Sequence, residues 1–210
     1  MGHPELQACY FPIYGYQEKD IPPALRPAYE RFLVADAEAR ETYDSLGLPT
    51  PRSRNWTPPH RFPHPARTLD LAGESYTPDG TAACSRLLAD FPTARLGRLS
   101  MHIQPNSWFH FMADHAITFS VIPLGPDRTL VRTTWLVHAD AVEGIDYDLD
   151  TLTKVWQATN DQDAVLVARA HRGISSPAYL PGPYGPTEEQ VEAFVNWYVT
   201  RLKAHLERRP

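Results

Sequence analysis

Cysteine is scarce in this 210-residue chain: there are two, Cys9 and Cys84, and neither has another Cys or a His at ligand spacing. That excludes a disulfide scaffold and a zinc ribbon. No apolar run approaches the roughly 20 residues of a membrane-spanning helix. The start, MGHPELQACYF, lacks the basic and apolar stretches of a leader, so a cytoplasmic location is expected. There is no surplus of positive charge either. The formal net charge is −5, which points away from nucleic acid and anionic membranes as partners. No G-x-S-x-G elbow, Gly-rich phosphate loop or H-E-x-x-H motif occurs, leaving hydrolase, kinase and zincin chemistry without support.

Proline, by contrast, is abundant at 21 residues, concentrated in PRSRNWTPPHRFPHP (51–65) and SSPAYLPGPYGP (175–186). These stretches have no regular periodicity and read as surface-wrapping loops, with Trp56, Phe62, Tyr179 and Tyr184 favouring order over a disordered linker. With 42% hydrophobic residues the chain can bury a real core, as one domain over 1–210 with an N-terminal helical arm over 1–50.

Tyr29, Phe32, Leu33, Tyr43 and Leu46 recur at helical spacing, which predicts a helix over 26–46 with Gly47 as its cap. The period then changes to two. Leu99, Met101 and Ile103 alternate with Arg98, Ser100 and His102, the pattern of a half-buried strand. Further strands are expected at 108–113, 116–123 and 129–138, joined by the turns Pro105-Asn106-Ser107 and LGPDR. DLAGES (70–75) is a candidate edge strand. A helix over 149–172 follows, with Asp148 or Asp150 as N-cap and Gly173 beyond its end. The last helix starts at the capping-box pattern Thr187-Glu188-Glu189-Gln190 and is expected to bury Val191, Phe194, Val195, Tyr198 and Leu202. The fold class is α+β: an antiparallel sheet gripping a long C-terminal helix.

On the 149–172 helix, Leu152, Val155, Trp156, Thr159, Leu166 and Ala170 trace one face, and Asp163 belongs to the same stripe. An ionised carboxylate on a core face costs several kcal/mol unless it is satisfied. A salt bridge to arginine, a hydrogen bond from Trp or Tyr, or a metal cation would each serve.

The run WQATNDQDAVLVARAHRGISSPAYLPGPYG (156–185) resembles the C-terminal segment of the large subunit of Rieske-type non-haem iron oxygenases. Within them it is most similar to the branch acting on quaternary-ammonium compounds. ADHAITFSVIPLGPDRTLVRTTWLVHADAVEGIDYDLDTLTKVW (113–156), DGTAACSRLL (79–88) and HPEL (3–6) extend the similarity. The resemblance implies a helix-grip, START-like catalytic domain and a mononuclear Fe(II) held by two histidines and one carboxylate. His3 matches the second of those histidines and Asp163 the carboxylate. The first would lie five residues before His3, outside the chain, and the family's Rieske domain with its 2Fe-2S ligands is likewise outside it. The family's Glu-x-x-Gln is Ala168-Arg169-Ala170-His171 here.

The expected function is therefore O2-dependent hydroxylation or N-demethylation of a small quaternary amine, with a separate Rieske-bearing chain or reductase as partner in a homo- or hetero-oligomer. The alternative is a non-catalytic remnant or binding module that has lost iron chemistry. Asn160, one turn before Asp163, and Trp156 are the candidate substrate-binding residues, since an aromatic face attracts a methylated cation. His110 and His115 repeat the H-x4-H spacing, but in or beside strands a separation of five sends side chains to opposite faces, so they read as satisfied sheet histidines. His60 and His64 read as surface histidines of the first Pro-rich loop.

Overall fold

A computed structural model describes residues 18–47, 61–67, 74–103, 105–185 and 188–208. Helix α1 (Arg26–Ser45) is followed by strands β1 (Arg61–Arg67), β2 (Arg98–Ile103), β3 (Ser107–Phe111), β4 (Ala116–Pro123) and β5 (Thr129–Leu136). Helices α2 (Leu149–Ile174) and α3 (Glu189–Leu206) close the described chain. The strands form one antiparallel sheet in sequence order, so the α+β class expected from the sequence is what forms. Gly47, at φ 65°, ends α1 in the left-handed conformation that a Cβ would disfavour.

Strand register decides which side chains share a face. Ser100, His110, Ile117 and Trp135 stand opposite one another across β2 to β5, and His102, Trp108, Phe119 and Thr133 form the neighbouring row. The first half of α2 lies over this face. Val155 and Trp156 join Tyr76, Met112, Ile117 and Phe119 in one buried cluster, with Trp108 and Trp135 packed against it. Asp148 caps the helix, its carboxylate accepting the Thr151 N–H at 2.8 Å. A smaller core joins Ala39 and Tyr43 of α1 to Leu96 and Ala113.

Several expectations need correction. Residues 61–65, read as loop, belong to the edge strand β1, with a register irregularity between His64 and Arg67. An edge strand tolerates proline because half its backbone groups have no ladder partner to lose. Of DLAGES, residues 70–73 lie outside the described residues, and Glu74 and Ser75 are not in a strand. On β2 the polar side is the more buried: Arg98 and Ser100 are enclosed, whereas Leu99 and Met101 are half-buried and Ile103 is exposed. Thr187 lies outside the described residues, and Glu188 caps α3 without a side-chain bond to the helix. Val191, Tyr198 and Leu202 are exposed and Phe194 and Val195 half-buried, because no described element covers that face.

The largest correction concerns α2. Leu152, Val155, Trp156 and Thr159 are buried, but Asp163, Leu166 and Ala170 are exposed. A 26-residue helix is about 39 Å long. The longest strands beneath it have eight residues, about 26 Å. The apolar stripe continues beyond the half of the helix that the sheet buries.

Candidate functional site

Along α2 the candidate residues run from enclosed to open. Trp156 is buried, Asn160 is half-buried one turn later, and Asp163 faces solvent. Trp156 sits in an aromatic box. His110 stacks on it at 4.7 Å between ring centres and 19° between planes, and Tyr76 and Phe119 meet it at 80° and 64°. Its indole N–H is buried with no hydrogen-bond acceptor among the described residues, as is that of Trp135. Asn160 Nδ2 donates to Thr133 Oγ1 at 2.9 Å, pinning the turn of α2 that carries it to β5. This bond gives Asn160 a structural duty that helical spacing does not reveal.

Of the expected iron ligands, His3 lies outside the described residues. Asp163 is an exposed oxygen donor of the class ferrous iron takes, which fits the carboxylate of a two-histidine, one-carboxylate set. One carboxylate does not hold the metal, however. Among the described residues no three His, Cys, Asp or Glu side chains come together at metal-binding distance.

The H-x4-H pair divides because the chain turns from β3 to β4 between the two residues, not through alternation along one strand. His110, on the α2-facing side of the sheet, has Ser100 Oγ 2.7 Å from its Nδ1. His115, in the turn before β4, is fully buried in a different network. Its Nδ1 lies 3.1 Å from Asp114 Oδ2 and 3.2 Å from Ser75 Oγ. Asp114 also accepts from the Ser75 hydroxyl at 2.9 Å and the Ala83 N–H at 2.6 Å. Burial pushes the Asp114 carboxyl up, but the His115 hydrogen bond and charge, with Ser75 and Ala83, outweigh it and hold it below its ordinary range. Serine and aspartate both address Nδ1 and all three residues have no exposure, so this is not a nucleophilic triad, which needs serine on the other ring nitrogen. It anchors the 74–83 segment to the sheet. The expectation of satisfied histidines therefore holds for His115 at Nδ1 only, since its buried Nε2 has no partner among the described residues. Ser75 and Asp114 escaped notice in the sequence because 39 residues separate them. His60 lies outside the described residues and His64 is on β1.

The model of the ring-hydroxylating alpha-subunit catalytic domain matches residues 2–204, and the chain belongs to that family, the catalytic domains of Rieske-type oxygenases. It is similar to the glycine betaine monooxygenase oxygenase subunit of Chromohalobacter salexigens, 44% identical over 208 residues, 98% of this chain and 44% of that protein. The subunit of the same description from Pseudomonas aeruginosa is 47% identical over 133 residues, 63% of this chain and 31% of that protein. The chain thus spans less than half the length of the curated relatives it matches. The resemblance expected from the TNDQD and SPAYLPGPY segments is borne out. Among the described residues no helix is long and apolar enough to cross a membrane.

Proposed function

We propose that this chain forms the catalytic-domain part of an oxygenase that hydroxylates or N-demethylates a small quaternary amine at mononuclear iron, with electrons from a 2Fe-2S cluster of a Rieske domain outside these 210 residues. The observation that carries this is the line along α2 from Trp156, enclosed by aromatic rings, through Asn160 to the exposed carboxylate of Asp163. Its support is that an aromatic ring and a carboxylate, groups of the kinds that attract a methylated cation and ligate ferrous iron, share one side of one helix. In this proposal the sheet and α2 are a helix-grip scaffold of START type. His3 and Asp163 are two iron ligands, and a further histidine comes from sequence outside these 210 residues. Bound ferrous iron would supply reductive activation of O2. The chain's own residues have simpler tasks. Trp156 and its neighbours exclude water, the Asn160–Thr133 bond fixes the helix against the sheet, and Asp163 presents its carboxylate at the open end.

Purification together with the Rieske domain tests this. About one iron per chain beyond the cluster is expected, and Asp163→Ala should remove most of it while leaving the cluster spectrum unchanged. A complex without that iron would overturn the proposal. A second reading, a binding module without iron chemistry, is favoured by Ala168-Arg169-Ala170-His171 standing where the family has Glu-x-x-Gln. Calorimetric binding of a trimethylammonium compound by an iron-free complex, with no turnover, would select it.

A further inference from the structure

A line of polar contacts runs beneath Trp156 on the face of the sheet that α2 covers. Arg98 and Ser100 are both buried, two residues apart on β2 and therefore on the same side. Arg98 Nη1 donates to Ser100 Oγ. Ser100 stands directly opposite His110 in the β2–β3 register, with its Oγ 2.7 Å from His110 Nδ1. The chemistry of the three groups sets the direction of every proton. A guanidinium only donates, so Ser100 Oγ accepts from Arg98. Oγ has a second lone pair, but among the described residues Nδ1 is the acceptor within reach of its single hydrogen, which is therefore directed there and makes Nδ1 a lone-pair acceptor. A neutral imidazole whose Nδ1 accepts carries its proton on Nε2. An Nδ1–H would leave the buried Ser100 hydroxyl hydrogen without an acceptor among the described residues, and an imidazolium would also place a second cation near a buried guanidinium.

The ring so fixed lies flat on Trp156, with Tyr76 and Phe119 edge-on to it at 5.9 and 5.6 Å. We infer that His110 is a positioning residue, locked by Arg98 through Ser100 as the neutral Nε2–H tautomer, and that it sets the plane of Trp156 and the direction of its unpartnered indole N–H. The inference rests on Trp156 lining the substrate site. Its immediate claim, a tautomer and a ring plane, is independent of iron. Among the described residues the titratable or charged groups around His110 are Arg98 and His102 of β2 and Tyr76 of the loop, and His64 of β1 stands opposite Ser100 in the same row of the sheet. The buried residues of α2, Leu152, Thr153, Val155, Trp156 and Thr159, carry none.

Long-range nitrogen–proton NMR on the full chain, labelled with 15N at histidine and tryptophan, reads both groups. The His110 signals should show a bare Nδ1 and a protonated Nε2 that persist from pH 8 down to about 5, below the ordinary imidazole midpoint of about 6.5. Ser100→Ala should let His110 titrate within that window and make the Trp156 indole resonance shift with the same midpoint. Ser100→Thr, which keeps the hydroxyl, should restore the fixed tautomer. An imidazolium or an Nδ1–H tautomer in the unaltered chain at pH 7 would overturn the inference, and so would an unchanged tautomer in Ser100→Ala. If Ser100→Ala does not fold, the unaltered chain and Ser100→Thr still decide. An iron-free complex with the expected tautomer would defeat the oxygenase proposal alone.

Discussion

Asp114 shows how much a single buried charge depends on its partners. Enclosed in the core, it is satisfied by Ser75, Ala83 and His115 from segments that sequence distance hides. Removing a member of such a network leaves the others uncompensated, and Asp114→Asn should cost about 3 kcal/mol, measured by urea unfolding. The pH dependence follows from the lowered carboxyl. Unfolded, Asp114 titrates near 3.9, and folded it titrates lower. Its stabilising contribution is therefore complete above about pH 4 and is lost as pH falls through the lower folded value. The unaltered chain should lose more of its melting temperature than Asp114→Asn on going from about pH 4 to 2. Equal losses would show that the network contributes nothing. At this scale the sequence identifies Trp156, Asn160 and Asp163 as residues of one helical stripe, and 3.6-residue geometry is all that requires. It does not reveal that Asn160 bonds Thr133, because that needs α2 laid over β5.

Among the elements, α2 has two unlike halves. Leu152, Thr153, Val155, Trp156 and Thr159 are buried, whereas Val165, Leu166 and Val167 are between 51% and 65% exposed, which helical spacing does not predict. Local stability follows tertiary burial more than propensity. Amide hydrogen exchange should be at least about tenfold slower over 152–160 than over 164–174, a difference of 1.4 kcal/mol in opening free energy. Uniform protection would mean that the distal half is covered in solution. Strand β1 teaches the converse lesson. Its prolines read as loop until β2 offers a pairing edge, and then only one side of the strand needs N–H donors.

For the whole molecule, the exposed apolar residues of distal α2 and of α3 fit a domain that works against other polypeptide. A Rieske-bearing partner that binds the folded chain should raise its stability by mass action. The gain is about 2.7 kcal/mol at a hundredfold excess over Kd, visible in the melting temperature, and amides 164–174 should become protected together with it. An unchanged melting temperature with no added protection would refute an interface there.

The α+β class, the four strands from 98 to 138, three helices and the family membership follow from the sequence alone. Hydrophobic periods of 2 and 3.6 are local properties of the chain, and the TNDQD and SPAYLPGPY segments are specific by themselves. Tertiary structure alone decided that β2 buries its polar side, that β1 pairs, that Asp114 and His115 anchor a distant loop, and that Asp163 is open to solvent. Each of these is a question of what lies opposite a residue. Periodicity says which residues share a face; strand register and the length of helix beyond the sheet say what that face meets.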